Sequence, residues 1–496
     1  MRAREKRSGR VVVIGAGFGG LAAALRARAM GYDVQVIERL DQPGGRARVF
    51  RRDGFTFDAG PTVITAPDLF DELWHLFGEK RAEHVAFLPV RPWYRIGFAD
   101  GRAFDYGGTV EEMRARVSAF APGDAEGFVR LAERTRALYR AGYLRMGAMP
   151  FHRFSTMMRA VPTLVRLGAW RSLYRFVARD IADESLRRVF TLQMLLVGGH
   201  PFRSPALYAL IQQLEREGAV WFARGGMTAL VQQLVRLGER HGVRMRCGAT
   251  VSRILVERGR TRGVVLESGE TIPAEIVIAN ADAPMVHEAL MPPGRRRSKR
   301  RLDRLQPSMG LFVLYFGTTR VFPAIAHHTI LLGQSYRALL DRIFGTDPTL
   351  PDDLSLYLHR PTATDPSLAP PGQDAFYVLA PVPNLRAPID WDRARQMLRD
   401  RIVRILSERI MPGLEACIVS ESSLTPLDFR HDYLSRDGAG FSIAPILRQS
   451  AFFRFHNRVR GVRNLYLVGA GTHPGAGVPG VLCSAKLVET LMRTAA

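Results

Sequence analysis

The sequence predicts an α/β fold, α+β over the whole chain, in which a parallel-sheet domain built from separate segments carries an inserted mixed domain. Three observations predict it. The β-branched run Val11–Ile14 runs straight into a glycine loop and an alanine-rich helical pattern. A second such unit, "NLYLVGAGTHPGAGVPG" (Asn464 to Gly480), lies close to the C-terminus. Between them, helical stretches alternate with strands such as "LFVLYFG".

The 496 residues suit two or three domains, and 47% hydrophobic residues suffice for large cores. The formal net charge of +23 is nearly all arginine, with Lys6, Lys80, Lys299 and Lys486 the four lysines. An anionic partner fits that balance. Cys247, Cys417 and Cys483 match no metal or disulfide spacing, which points to a reduced, cytoplasmic-side protein. The basic start before an apolar run is not read as a secretion signal, because glycines interrupt the run and helix follows directly. No apolar stretch reaches the 18 or so residues that cross a bilayer.

In the front unit, Gly15, Gly17 and Gly20 form G-x-G-x-x-G with Gly19 between them; Leu21–Met30 reads as helix, and "DVQVIE" as a strand ending in Glu38. Gly15 permits the turn, Gly17 lets a pyrophosphate approach the backbone, and Gly20 lets helix pack on strand. The helix N-terminus holds phosphates and Glu38 accepts from ribose hydroxyls.

Beyond Glu38 the run E-R-x-x-x-x-G-G-R (Glu38, Arg39, Gly44, Gly45, Arg46), followed by "GFTFDAGPTVI", resembles the FAD-binding opening of the amine oxidase and carotenoid desaturase flavoproteins. The resemblance implies a Rossmann-like FAD domain of the amine oxidase and glutathione reductase type. It implies that Arg46 faces the FAD diphosphate, and that the loop from Asp58 through Gly60, Pro61 and Thr62 approaches the flavin.

The middle segment predicts a helix over Met227–His241, strands near Val251–Val256 and Thr261–Leu266, and a buried strand, Glu275–Ala279, returning to the first sheet. Val251 matches a position that contacts the adenine side of FAD in such proteins. Near the C-terminus, Leu465–Val468 reads as a strand set beside the first. The loop Gly469, Ala470 to Gly477 would run under the ribityl chain, and a helix opening at Val478 and Pro479 would aim its positive dipole end at the ring. Ala470 stands where many FAD folds carry an acid, so backbone groups take over there.

"FDAGPTVIT", "LLVGG", "LFVLYFG", "LYLH", "YVLAPVP" and "NLYLVGAGTHPGAG" together resemble the bacterial-type phytoene desaturases, in order and spacing, from Arg10 onward. That resemblance implies stepwise FAD-dependent dehydrogenation of the C40 hydrocarbon phytoene to neurosporene or lycopene, with oxygen or quinone as electron acceptor. A related carotenoid desaturase, ketolase or isomerase would share nearly every motif. An amine oxidase would share the FAD ends, and a non-catalytic flavin-binding membrane protein is the third alternative.

A C40 chain resists water by roughly tens of kcal/mol, at about 0.8 kcal/mol per methylene. A membrane-lipid surface is therefore an expected partner. Phe154, Met157, Val161, Leu164, Trp170, Leu173 and Phe176 recur at near-helical spacing amid arginines, as in a helix lying in the headgroup plane, with Pro162 as a potential break. The expected location is the cytoplasmic face of the membrane, peripheral. The expected domains are 8–75, 225–283 and 415–496 for FAD, and 76–224 and 284–414 for substrate, with membrane contact within about 110–215.

Dehydrogenation needs a hydride acceptor and a way to remove a proton. His473 and Asp58 are weak acid–base candidates, with His200, His359 and His431 in family-like segments. No metal site is expected, since His327 and His328 are adjacent rather than at ligand spacing. "RRRSKRR" (Arg295–Arg301) reads as a solvated or lipid-facing loop, and no nucleic-acid partner is expected.

Overall fold

In a computed structural model describing residues 9–147 and 149–495, both ends of the chain enter one parallel sheet. Its order is Leu465–Leu467, Ile276–Ala279, Arg10–Ile14, Asp33–Ile37, Arg244–Arg246. The C-terminal strand is thus next but one to the first, not beside it as the sequence predicts. Ile276–Ala279 takes the place between, with Val277 paired to both Val12 and Leu465. Four consecutive buried apolar residues suit that central position.

The helices Phe18–Ala29 and Val478–Ala495 cover one face of this sheet. Arg26, 3% exposed, ties the chain ends together by ion pairs to Glu489 (2.8 Å) and Glu72 (3.2 Å). The helix Gly226–Arg240 packs beside them, and the strands Val251–Glu257, Arg260–Leu266 and Thr271–Pro273 form a small antiparallel sheet.

A seven-stranded mixed sheet builds the second domain, in the order Ile418–Leu424, Gly310–Thr318, Asp374–Val382, Leu356–His359, His328–Leu331, Tyr94–Gly97, Ala103–Tyr106. Ile418–Leu424 therefore leaves the 415–496 segment expected for the FAD domain. Its "SESS" centre is polar and half-buried, which fits the edge of an antiparallel sheet and not the inside of a parallel one.

The helices Ala125–Tyr139 and Leu210–Gly218 pack on each other and share the core of the second sheet, while Phe154–Arg166 lies against Ala451–Phe453. Pro162 lies within Phe154–Arg166 and does not end it. Among the described residues no helix is long and apolar enough to cross a membrane.

Candidate functional site

The front glycines are explained by what surrounds them. Gly15 has φ +91°, and a Cβ there would lie 2.7 Å from the Asn280 carbonyl oxygen. At Gly20 it would lie 2.0 Å from Gly15 O, so the helix seats on the strand only without a side chain. Gly17 begins that helix with no side-chain cap, and the first turn holds no acid. The first N–H groups are left for an anion. Gly44 closes over this turn through a backbone bridge to Gly17, and a Cβ on Gly45 would sit 3.4 Å from Gly17 Cα.

Glu38, 6% exposed, accepts from the amides of Ala16 (2.7 Å) and Leu40 (2.9 Å), fixing the loop while lining the cavity. Arg39 donates to the carbonyls of His431 and Asp432. Arg46 donates to Ser435 Oγ (3.1 Å), leaves its buried Nε unpartnered, and is pushed below its ordinary pKa by burial, against the pull of Asp282. Gly60, Pro61, Thr62 and Val251 line the same cavity.

One side chain explains why the two glycine loops share a site. Cβ atoms on Gly19 and Gly469 would lie 2.7 Å and 2.9 Å from Asn280 Oδ1, so both loops need glycine to close around Asn280. Arg454, 3% exposed, donates to the carbonyls of Ala470 (2.6 Å) and Thr472 (3.0 Å) and holds the second loop in shape. The Ala470 carbonyl is therefore already engaged. A carboxylate lies nearby instead: Asp282 accepts from Ser442, whose Oγ a Cβ on Gly471 would meet at 2.8 Å, and burial raises its pKa. Gly477, Val478 and Pro479 bring the C-terminal helix to the cavity wall, with Pro479 in its first turn.

The cavity, about 540 Å³, runs from these loops into an apolar lobe walled by Leu195, Leu207, Ile330, Leu356, Tyr377 and Phe441. Of the candidate acids and bases, His473 lines it; burial and the Arg454 guanidinium push its pKa down to about 4. Asp58 does not line it. It sits under the start of Gly226–Arg240, accepting from Met227 N (2.9 Å), with burial pushing its carboxyl up to about 7. His200 and His359 are buried off the cavity, and His431 is exposed beside Asp432.

Strand register assembles one group that sequence spacing hides. His328 pairs with His359, and the nitrogens of His327, His328 and His359 come within 4.8 Å of one another. The His327 and His359 Nε2 atoms are 3.1 Å apart, and His328 Nδ1 meets the Tyr357 hydroxyl at 2.8 Å. Burial lowers the pKa of each.

Sequence reasoning missed Asn280, Asp282, Arg454 and a polar cluster in the apolar lobe: Glu215, Tyr94 and Gln193. Asn280 and Asp282 follow a parallel strand at its carboxyl end, where such sheets bind ligands, and that position was a usable signal. Arg454 and Glu215 sit in no motif.

The chain matches the family described as flavin containing amine oxidoreductase over residues 18–488. It is 48% identical over 488 residues to a phytoene desaturase (lycopene-forming) of Pseudescherichia vulneris, covering 97% of this chain and 99% of the relative. It is 41% identical over 495 residues to a phytoene desaturase (neurosporene-forming) of Rhodobacter capsulatus, covering 98% and 94%. Its fold is similar to that of an oxidoreductase from Methanosarcina mazei (TM-score 0.67, 19% identity, 98% and 100% covered).

Proposed function

The chain belongs to the flavin-containing amine oxidoreductase family, and on that premise we propose that it dehydrogenates the C40 hydrocarbon phytoene stepwise to neurosporene, lycopene or both. It is an FAD-dependent oxidoreductase. One observation carries the substrate reading: a single cavity joins the glycine loops to an apolar lobe.

Bound FAD supplies a two-electron hydride acceptor. The residues at the polar end fit it. Uncapped N–H groups at Gly17, Gly19 and Gly20 would hold the diphosphate together with Arg46 and Gly45. Glu38, next to Arg39, would hold the adenosine ribose and Val251 the adenine side. Gly60, Pro61, Thr62 and the Gly469–Pro479 loop would hold the flavin. The apolar wall takes up hydrocarbon and excludes water.

Lipid contact is part of the same proposal. Of the apolar residues expected at the lipid, Phe154 and Trp170 are more than half exposed, whereas Leu173 and Phe176 are buried in the core of the second domain. Met158 and Val165 are also more than half exposed, interspersed with exposed Arg153, Arg159, Arg166 and Arg171. Phe154 also packs on Phe452 (5.4 Å), beside exposed Phe453. Such a surface favours the headgroup plane, with each arginine adding about 1 kcal/mol against anionic lipid. Reduced cofactor would pass its electrons to oxygen or a membrane quinone.

The test is one incubation of protein, FAD and phytoene in lipid vesicles, followed by chromatography. Neurosporene or lycopene is expected. Phytoene left intact while a later carotenoid reacts would overturn the substrate, and hydrogen peroxide formed from amines without carotenoid turnover would overturn the class. Recovery of flavin absorbance on adding quinone, after anaerobic reduction, tests the acceptor.

A further inference from the structure

We propose that Glu215 takes the proton that the substrate loses in each dehydrogenation, an inference that rests on the function proposed above. The apolar lobe is a costly place for a carboxylate. Yet Glu215, 1% exposed, lines the cavity from the helix Leu210–Gly218. That helix is anchored to the loop beyond Thr62: a Cβ on Gly218, at its end, would lie 2.0 Å from Thr65 O, and both Thr62 and Thr65 line the cavity. Glu215 is therefore tied to the loop that the family resemblance sets against the flavin.

Its partners suit two protonation states. Tyr94, also at the cavity, donates to Oε1 (2.9 Å), and Gln193 donates to Oε2 through Nε2 (3.3 Å). Gln193 Oε1 is buried without a partner. Rotation of that amide would let Gln193 accept from a protonated carboxyl as readily as it donates to a carboxylate. Tyr106 and Arg216 are further polar neighbours, and Arg216 favours the charged form. Burial outweighs these partners and pushes the carboxyl up to about 7. A group with that proton affinity suits general base work near neutrality. His473, held neutral and weakly basic by burial and Arg454, suits it less.

The step balances. One hydrogen would leave its carbon as hydride, with bound FAD supplying the acceptor for its electron pair. The C–H bond on the neighbouring carbon breaks, its electron pair becomes the π bond of the new C=C, and the proton forms an O–H bond on Glu215. That proton leaves to water once product clears the lobe.

The test compares wild type with Glu215→Gln and Glu215→Asp as FAD-loaded proteins in phytoene vesicles. Anaerobic bleaching of the flavin should rise with pH through neutrality in wild type. In Glu215→Gln it should fall by about 100-fold or more and lose that pH dependence, at unchanged flavin content and vesicle-phytoene binding. In an Asp58→Asn background, which removes the other carboxyl raised to about 7, infrared difference spectra should show a protonated carboxyl band that titrates near neutrality, shifts in Glu215→Asp and is missing from Glu215→Gln. Bleaching at the wild-type rate in Glu215→Gln, or persistence of its pH dependence there, overturns the assignment of Glu215. If Glu215→Gln does not fold, an infrared titration of Asp58→Asn with no such band overturns it alone. Wild type that fails to bleach with phytoene overturns instead the function on which it rests.

Discussion

The two ends of the cavity are made of different material. At the cofactor end the wall is largely main chain: glycines at 15, 17, 19, 44, 45 and 469 pack against Asn280 or against each other, and buried Glu38 and Arg454 spend their polar atoms on backbone groups. At the substrate end the wall is side chain, gathered from helix Leu210–Gly218 and several strands of the second sheet, with polarity concentrated at Glu215, Tyr94 and Gln193. A wall of backbone tolerates no added atom; a wall of side chains can repack. Substitutions at the first end should therefore abolish cofactor retention, whereas those at the second should leave flavin bound and change turnover.

The strongest challenge to that contrast is Gly20→Val, whose Cβ would fall on the Gly15 carbonyl. It should cost about 3 kcal/mol or more of stability and remove bound flavin, read from the urea midpoint and visible absorbance. A yellow, stable variant would break the comparison.

Arg454→Met should come next. It strips the Ala470 and Thr472 carbonyls of charged donors, each worth about 1.5–3 kcal/mol. FAD should bind roughly 10- to 100-fold more weakly in a fluorescence titration, and unaltered affinity would show that the second loop holds its own shape.

Asp58→Asn separates fold support from chemistry. A carboxyl raised from 3.8 to about 7 by burial favours the folded state while protonated. Its stabilising contribution is present below the unfolded pKa and is lost as pH climbs through the folded value. Asparagine does not titrate and can still accept from Met227 N. Across that window the difference in unfolding free energy, read from urea titrations, should swing toward the variant by up to roughly 4 kcal/mol, with product formation retained. A pH-independent difference would refute it.

Trp170→Ser should be the mildest. The ring is 55% exposed, so stability should move by no more than about 0.5 kcal/mol. Partition onto anionic vesicles should fall several-fold in a sedimentation assay, and an unchanged partition would remove Trp170 from the lipid-facing surface.

The same contrast explains what could be read before folding was known. Gly15, Gly17, Gly20 and Glu38 were legible because a backbone cradle dictates residue type at short, fixed spacing, and the second loop was legible for the same reason. Asn280, which unites the loops, was hidden because no local pattern says which residue two distant loops close upon. His359 beside His328, and Ile418–Leu424 in the second sheet, are products of strand register.

Sequence by itself determined the strand–glycine–helix units and the arginine-rich balance, since each is written within a few tens of residues, and its family resemblance implied FAD. Tertiary structure alone decided that Ile276–Ala279 stands between the first and last strands, that Asp58 supports a helix instead of facing the cavity, and that one carboxylate survives in an oily lobe. Those outcomes depend on burial and on contacts between residues far apart along the chain, and a buried acid acquires its proton affinity only from the neighbours that folding gives it.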